Sequence, residues 1–124
     1  MADMIVNYDK AVADVLQAID FGKTIPIYHN TAPEVGDAAY PFIVYRTLSV
    51  SPADHADNEM WTYQHNVRIT IVSKNGSVKD IENLIIEAFK DADYGWQNTS
   101  PTVESKEFGE LYTAIDFIKL YWRY

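Results

Sequence analysis

The stretch MWTYQHNVRITIVS, residues 60–73, shows the clearest alternation of apolar and polar side chains in the chain. Because successive side chains of a strand point to opposite faces of a sheet, this pattern predicts a long strand with one buried and one solvent-facing side. The predicted buried side holds Trp61, Tyr63, His65, Val67, Ile69 and Ile71, and the opposite side holds Thr62, Gln64, Asn66, Arg68 and Thr70.

Other segments supply the remaining predicted strands. YPFIVYRTLSV (40–50) is rich in aromatic and β-branched residues, which fits a strand with both faces partly covered. TIPIYHN (24–30) is a short extended segment that Pro26 assigns to an edge or an irregular strand. Residues 102–108 are predicted as a short strand that ends at Gly109.

The last predicted strand, LYTAIDFIKLYWRY (111–124), changes its apolar face midway. The first half places its apolar side on Leu111, Thr113, Ile115 and Phe117, and the second half on Ile118, Leu120, Trp122 and Tyr124. This change predicts either a β-bulge or a face that leaves the core and meets a partner.

Two segments have the apolar periodicity of amphipathic helices. Residues 7–21 are predicted to be helical, with Asn7 as the N-cap and Gly22 beyond the C-terminus. A second helix is predicted to begin at Ser77, with Asp80 in a capping-box-like position, and to end near Asp91 or Ala92. The two apolar stripes are Tyr8, Val12, Val15, Leu16 and Ile19, and then Val78, Ile81, Ile85, Ala88 and Phe89.

The order of elements predicts a single α+β domain over residues 1–124. We expect a mainly antiparallel sheet of four to five strands with both helices packed on one face. Residues 30–39, 51–59 and 91–101 are predicted as loops, the last of them as a loop or irregular excursion.

The composition of the chain excludes or disfavours several classes of site and of protein. Cysteine is absent, so disulfides, thiolate metal sites and cysteine nucleophiles are excluded. The formal net charge of -8 argues against a nucleic-acid-binding module, although an acidic protein can work beside DNA by repelling it. No apolar run is long enough for a membrane helix, and the N-terminal residues do not resemble a secretory signal.

The acidic stretch SPADHADNEMW (51–61) raises the question of a catalytic or metal site. It holds Asp54, His55, Asp57 and Glu59, but the spacing lacks the glycine and the terminal glutamate of a calcium loop. No serine stands in a glycine-flanked elbow, and no glycine-rich phosphate loop exists. We therefore predict a solvated loop, no metal ion, no cofactor and no enzyme activity.

Aromatic residues point to an interface instead. YGWQ (94–97) places Tyr94 and Trp96 in a loop, which favours a lid over the core or a subunit contact over a ligand pocket. The C-terminus carries Tyr121, Trp122 and Tyr124. Because aromatic residues are enriched in interface cores, these five are predicted to meet a subunit or another partner. His65, on the apolar side of its strand, is predicted to be a satisfied interior or interface imidazole.

The whole layout resembles the small tail-terminator and tail-completion proteins of long-tailed bacteriophages, including phages and prophages of Gram-positive bacteria. The resemblance spans the chain and lies in its size and order of elements: an N-terminal helix, the strand YPFIVYR, an acidic loop, the strand WTYQHNVRITIVS, the capped helix SVKDIENLIIEAF and the final strand YTAIDFIKLYW.

The resemblance implies an α+β subunit of a homo-oligomeric ring, usually a hexamer, on the end of the tail tube. Such a ring stops polymerisation of the tube, meets head-completion or connector proteins, and lets DNA pass without specific binding. It would be assembled in the bacterial host cytoplasm and would reside in the tail of the virion. Asp54, His55, Asp57 and Glu59 would then form a mobile loop toward the lumen or a neighbouring ring.

Two alternatives remain open from the sequence. One is a head–tail connector, or neck protein, which also forms a ring. The other is a small ligand-binding or enzymatic α+β domain with a pocket near Tyr94 and Trp96.

Overall fold

A computed structural model describes residues 7–31, 40–56, 59–74, 78–105 and 109–122, with the backbone alone at 52–56, 59–62, 105 and 122. Over these residues the chain forms two helices and six strands, and the predicted α+β class is confirmed. The elements are α1 (Tyr8–Gln17), β1 (Ile27–His29), β2 (Phe42–Ala56), β3 (Glu59–Ser73), α2 (Lys79–Asp91), β4 (Gly95–Thr99), β5 (Val103–Ser105) and β6 (Glu110–Trp122).

The described strands form one mixed sheet in the order β1-β2-β3-β6-β4, and β5 also pairs with β6. The sheet is mainly antiparallel, as predicted, because only β1 runs parallel to its neighbour β2. The predicted edge position of TIPIYHN is confirmed by β1, which begins after Pro26.

The prediction of a loop over residues 91–101 was wrong, because β4 occupies its centre and brings the described sheet to six strands. The sequence GWQNT has no apolar alternation to indicate a strand. Its pairing with β6 comes from backbone hydrogen bonds that an edge strand forms with little side-chain burial. Gly95 assists the pairing, since a Cβ there would lie 3.3 Å from Cγ2 of Ile118.

Both helices pack on the same face of the sheet, as predicted. Phe89 of α2 stacks on Phe117 of β6, with 4.6 Å between ring centroids and 13° between planes. The buried residues of this core include Val12 and Leu16 of α1, Ile81, Ile85 and Phe89 of α2, Val67, Ile69 and Ile71 of β3, and Ile115 and Phe117 of β6. Burial of this apolar surface is the main force that holds the helices on the sheet.

Helix α1 begins where predicted and ends earlier. Asn7 caps it, with Oδ1 accepting a hydrogen bond of 3.0 Å from the Lys10 amide. The helix ends at Gln17 rather than at residue 21. Beyond it, the Asp20 carboxylate accepts from the Gly22 amide at 2.8 Å, and Gly22 adopts a φ of 76°. This local turn competes with further helical hydrogen bonds.

Helix α2 ends at Asp91, as predicted, but its N-cap residue is not the predicted Ser77. The N-cap residue is Val78, which makes no side-chain cap hydrogen bond. Ser77, the predicted cap, lies outside the described residues. Asp80 sits in the first turn, where a negative charge is favourable beside the helix N-terminus.

The structure of β6 decides between the β-bulge and the apolar face outside the core that its sequence pattern allowed. Pairing of β6 with β3 runs without a shift from Thr62↔Trp122 to Ser73↔Leu111, so the predicted bulge in this strand is absent from that pairing. Ile118 and Leu120 pair with Asn66 and Gln64, on the face opposite the helices. The apolar character of the second half therefore belongs to a face outside the helix-covered core.

The first half of β2 is covered on both faces, as predicted. Ile43 belongs to the core beneath the helices. On the other face, a second buried cluster joins Phe42, Val44 and Val72, with Tyr28, Tyr40 and Tyr112 packed against it.

Candidate functional site

The acidic stretch is strand rather than loop, which corrects the prediction for residues 51–59. Strand β2 continues to Ala56 and β3 begins at Glu59, with Asp54 paired to Thr62 and His55 paired to Met60. Register shifts follow Pro52 and Asp54. The polar residues gave no strand signal because the pairing is made by the backbone across a hairpin. Asp57 lies outside the described residues.

The predicted interface residues occupy different environments. Trp96 is 57% exposed on the edge strand β4, where Nε1 donates to Oγ1 of Thr99 at 2.9 Å. Tyr121 is half-buried in β6, and Trp122 ends that strand. Tyr124 lies outside the described residues.

Tyr94 must be removed from the predicted interface set. It is only 4% exposed and packs edge-on against Phe89, with ring centroids 5.0 Å apart. Burial raises the pKa of Tyr94 well above its usual value, and the neighbouring Tyr121 hydroxyl adds to this effect. Since Tyr94 points into the core while Trp96 lies on the surface, the two do not form the pocket that the sequence allowed.

An exposed apolar surface lies on β6, opposite the helices. It consists of Ile118 and Leu120, and we call it the outer patch. Leu120 is 51% exposed, Ile118 is half-buried, and the adjacent Gly95 has no side chain to cover them. Leu48, at a bulge of β2, is another large apolar residue at 45% exposure. Such residues on a sheet face are suited to contact another protein surface.

A hydrogen-bonded chain connects His65 to the start of α1. The Thr47 hydroxyl donates to Oδ1 of Asp9 at 3.0 Å, so Nε2 of His65 donates to the Thr47 oxygen at 2.9 Å. Asp9 also lies 3.3 Å from Nε2 of His29, which stacks on Tyr45. The predicted interior position of the imidazole is confirmed, because His65 is fully buried, but the prediction that the imidazole is satisfied is not confirmed for Nδ1.

Only one nitrogen of this imidazole is satisfied. Nδ1 of His65 has no hydrogen-bond partner among the described residues. Burial lowers the pKa of His65, Asp9 opposes that effect, and Lys119 reinforces it. The lowered pKa favours the neutral form of the ring, which is fully buried.

Lys119 links the C-terminal strand to the end of α2. Its Nζ donates to the Ala92 carbonyl at 3.1 Å and lies 5.0 and 5.1 Å from the ring centroids of Tyr94 and Tyr121. Such cation–π contacts stabilise a partly buried ammonium group. The cluster therefore ties β6 to the end of α2 on the helix-covered face of the sheet.

A buried carboxylate anchors the opposite end of β6. Glu110 accepts hydrogen bonds from the hydroxyls of Tyr40 and Tyr112. Burial alone would raise the pKa of Glu110, but these hydrogen bonds and the charge of Lys74 outweigh it and lower the pKa. The hydrogen bonds to Glu110 in turn raise the pKa of Tyr40 and of Tyr112 to about 12.

The acidic and histidine side chains of the described residues are the candidates for metal ligands. Within the described parts of the chain, no three residues among His, Asp and Glu converge as metal ligands. A cleft of about 460 Å³ lies beside Ser73, Glu82 and Thr102, remote in the sheet from the outer patch. No helix in the described ranges could cross a membrane.

Sequence reasoning named the apolar second half of β6 but did not single out Glu110 or Lys119. Lys119 is a charged residue on the helix-covered face of an alternating strand, and that is the signal that would have found it. Glu110 is the first residue of β6 and is held by Tyr112 of the same strand and by Tyr40 of a distant segment, so the local pattern does not mark it.

No protein-family model matches the chain, and no curated protein matches it either.

Proposed function

We propose that the chain is a structural subunit of a long-tailed bacteriophage tail, in which copies form a ring that caps the tail tube. The ring would end tube polymerisation and join the tail to the head. The observation that carries this proposal is the outer patch, because Leu120 is 51% exposed on a regular strand and is suited to an intermolecular contact.

The fold supports the same proposal. The observed order of helix, strands, helix and strands is the order on which the resemblance to tail-terminator proteins rests. Strands β2 and β3 stay paired beyond the helix-covered core. Residues 59–64 alone add roughly 17 Å to the sheet at the usual rise per residue. This extension gives each subunit a long surface for neighbouring copies.

The proposed partners are further copies of the chain in a hexameric ring like that of the resembling proteins, together with the tail-tube protein and a head-completion or connector protein. DNA would pass through the ring without specific binding. The net charge of -8 favours this passage because carboxylates repel the phosphate backbone. The proposed location is the virion tail, after assembly in the bacterial cytoplasm.

The acidic end of the β2–β3 hairpin is proposed to face the lumen or a neighbouring ring. It carries Asp54, His55 and Glu59 within paired backbone, and Asp57 in the sequence between the two strands. Replacement of Asp54, Asp57 and Glu59 by alanine tests this assignment. We expect loss of infectious particles in a complementation assay; full complementation would make the hairpin end ordinary surface.

The first test is the native mass across a concentration range, with negative-stain images of the largest species. We expect a ring with an open centre, and we expect Leu120→Asp to prevent its formation by placing a charge in an apolar contact. Val103→Asp is the matched control, because Val103 is also an exposed apolar strand residue but lies on β5. Equal loss of the ring in both variants would show that the outer patch is not the contact.

A phage lacking the gene supplies the test of the tail function. We expect tails of irregular length that do not join heads, with rescue by the wild-type chain. Normal tails without heads would instead favour the neck protein, the rival that shares the ring architecture.

A further inference from the structure

The two helices leave an apolar groove between them, on the side of the domain away from the sheet. Its volume is about 430 Å³. The floor is formed by Val15 of α1, by Ile19 just beyond that helix, and by Leu84 and Ala88 of α2. Leu84 is 38% exposed although it is a large apolar residue in the middle of a helix. The groove therefore offers apolar surface that the fold itself does not bury.

The charges that line this groove have one sign. Glu87 and Asp91 both lie on its α2 side, one helical turn apart. Like charges at this spacing repel each other. Neither carboxylate forms an ion pair with any residue that the structure describes. A cationic group on an incoming molecule would relieve that repulsion.

We propose that this groove binds a peptide segment of a different protein, with an apolar stripe that enters the groove and Lys or Arg residues that meet Glu87 and Asp91. An amphipathic helix fits this description, since residues spaced three and four apart present one apolar face with polar flanks. The inference goes beyond the proposed ring, because it concerns the helical face and a second kind of partner.

Charge complementarity favours a basic partner over a second copy of the chain. Each copy carries a net charge of -8, so an acidic groove would meet an acidic neighbour. The outer patch lies on the other face of the sheet, so the groove stays accessible when copies meet through that patch.

The test uses a fluorescein-labelled peptide of about four helical turns, with Leu at the apolar positions and Lys at the others. Two matched peptides replace Lys by Glu or Leu by Ser. We expect saturable binding of the Leu/Lys peptide, by fluorescence anisotropy, at protein concentrations up to about 100 μM. The two matched peptides should bind at least about tenfold more weakly, because each lacks one of the two interactions. Equal binding of all three, or no binding of the first, would overturn the proposal.

Variants locate the binding site. Leu84→Ser and Glu87→Lys should each weaken binding of the Leu/Lys peptide by about tenfold, whereas Leu120→Ser in the outer patch should leave it unchanged. Thermal unfolding checks that each variant is folded, and both altered groove residues are exposed. If Leu120→Ser weakens peptide binding while Leu84→Ser and Glu87→Lys do not, the peptide binds outside the groove. If the chain self-associates and Leu84→Ser abolishes that self-association, the groove binds a second copy. Each of these two results would contradict the peptide proposal, and neither tests the proposed ring.

Discussion

At the scale of single residues, two buried polar groups are held by hydrogen bonds that include partners from distant segments. His65 reaches Asp9 through the Thr47 hydroxyl, and Glu110 is held by Tyr40 and Tyr112. Burying such groups without partners costs several kcal/mol, roughly 2–7. These contacts therefore tie α1 to the sheet and hold the start of β6, and each makes stability depend on pH.

His65 should make the protein less stable as the pH falls below about 6.5. Its pKa is lower in the folded chain than the ordinary value of 6.5, so the unfolded chain binds the proton first. The free energy of unfolding should fall by up to about 1.4 kcal/mol per pH unit, starting near pH 6.5 and ending at the folded pKa. Urea unfolding between about pH 7.5 and 5.5 measures this dependence.

His65→Gln, which keeps a donor for Thr47, should flatten that pH dependence. His29→Gln is the matched control at an exposed histidine beside the same Asp9 and should retain the dependence. An unchanged slope in His65→Gln would show that another group titrates.

Tyr112→Phe should shift acid unfolding to higher pH. The pKa of Glu110 is lower in the folded chain than its ordinary value of 4.5, so the ionised carboxylate stabilises the fold above pH 4.5. This stabilisation is lost as the pH falls through the pKa that Glu110 has in the folded chain. Removing one donor raises that pKa and costs about 2 kcal/mol at neutral pH. Circular dichroism during acid titration measures the midpoint, with Tyr28→Phe in the same cluster as the control. Equal midpoints for the two variants would contradict the role of the hydrogen bond.

At the scale of elements, the helices and strands differ in what specifies them. Helix α1 has a side-chain cap, whereas α2 begins without one and relies on its packing against the core. Strand β4 and the outer half of β2 have little apolar pattern, and backbone pairing with neighbouring strands holds them in the sheet.

Asn7→Ala should destabilise the protein by about 1 kcal/mol. The change removes the hydrogen bond of 3.0 Å from the Lys10 amide to Oδ1 and leaves that amide without its cap. The urea midpoint measures the loss. Asn7→Asp keeps an acceptor at the same position and should unfold close to the wild type. A loss of the same size in both variants would mean that the side chain acts by another contact.

At the scale of the whole molecule, an acidic chain carries two exposed apolar surfaces, on opposite sides of the sheet. The outer patch is proposed to join copies of the chain, and the groove between the helices to hold a basic segment of another protein. The net charge of -8 opposes the first contact and favours the second.

Self-association should therefore increase with ionic strength. Copies repel each other through their net charge, and salt screens this repulsion over a Debye length of about 10 Å at 0.1 M. We expect the weight-average mass from analytical ultracentrifugation to rise between about 0.05 and 0.5 M sodium chloride. Leu120→Asp should remain small throughout. A mass that falls with added salt would indicate contacts made by opposite charges rather than by apolar surface.

The sequence by itself determined the α+β class, both helices, the buried side of β3 and the edge position of β1. These features come from local periodicity, which the chain carries wherever one face of an element is buried. The apolar second half of β6 was also visible, but the sequence left a bulge and an exposed face as alternatives. The pairing of β6 with β3 settled that choice because it continues without a shift past Ile118 and Leu120.

Only the tertiary structure decided where polar and aromatic residues lie. Tyr94 and Trp96 are two positions apart, yet one is buried against Phe89 and the other is exposed. The hairpin at Asp54 and Glu59 and the contacts of Glu110 arise from strands that meet only in the folded sheet. Local pattern does not encode these positions, because their hydrogen bonds and burial depend on residues far away in the chain.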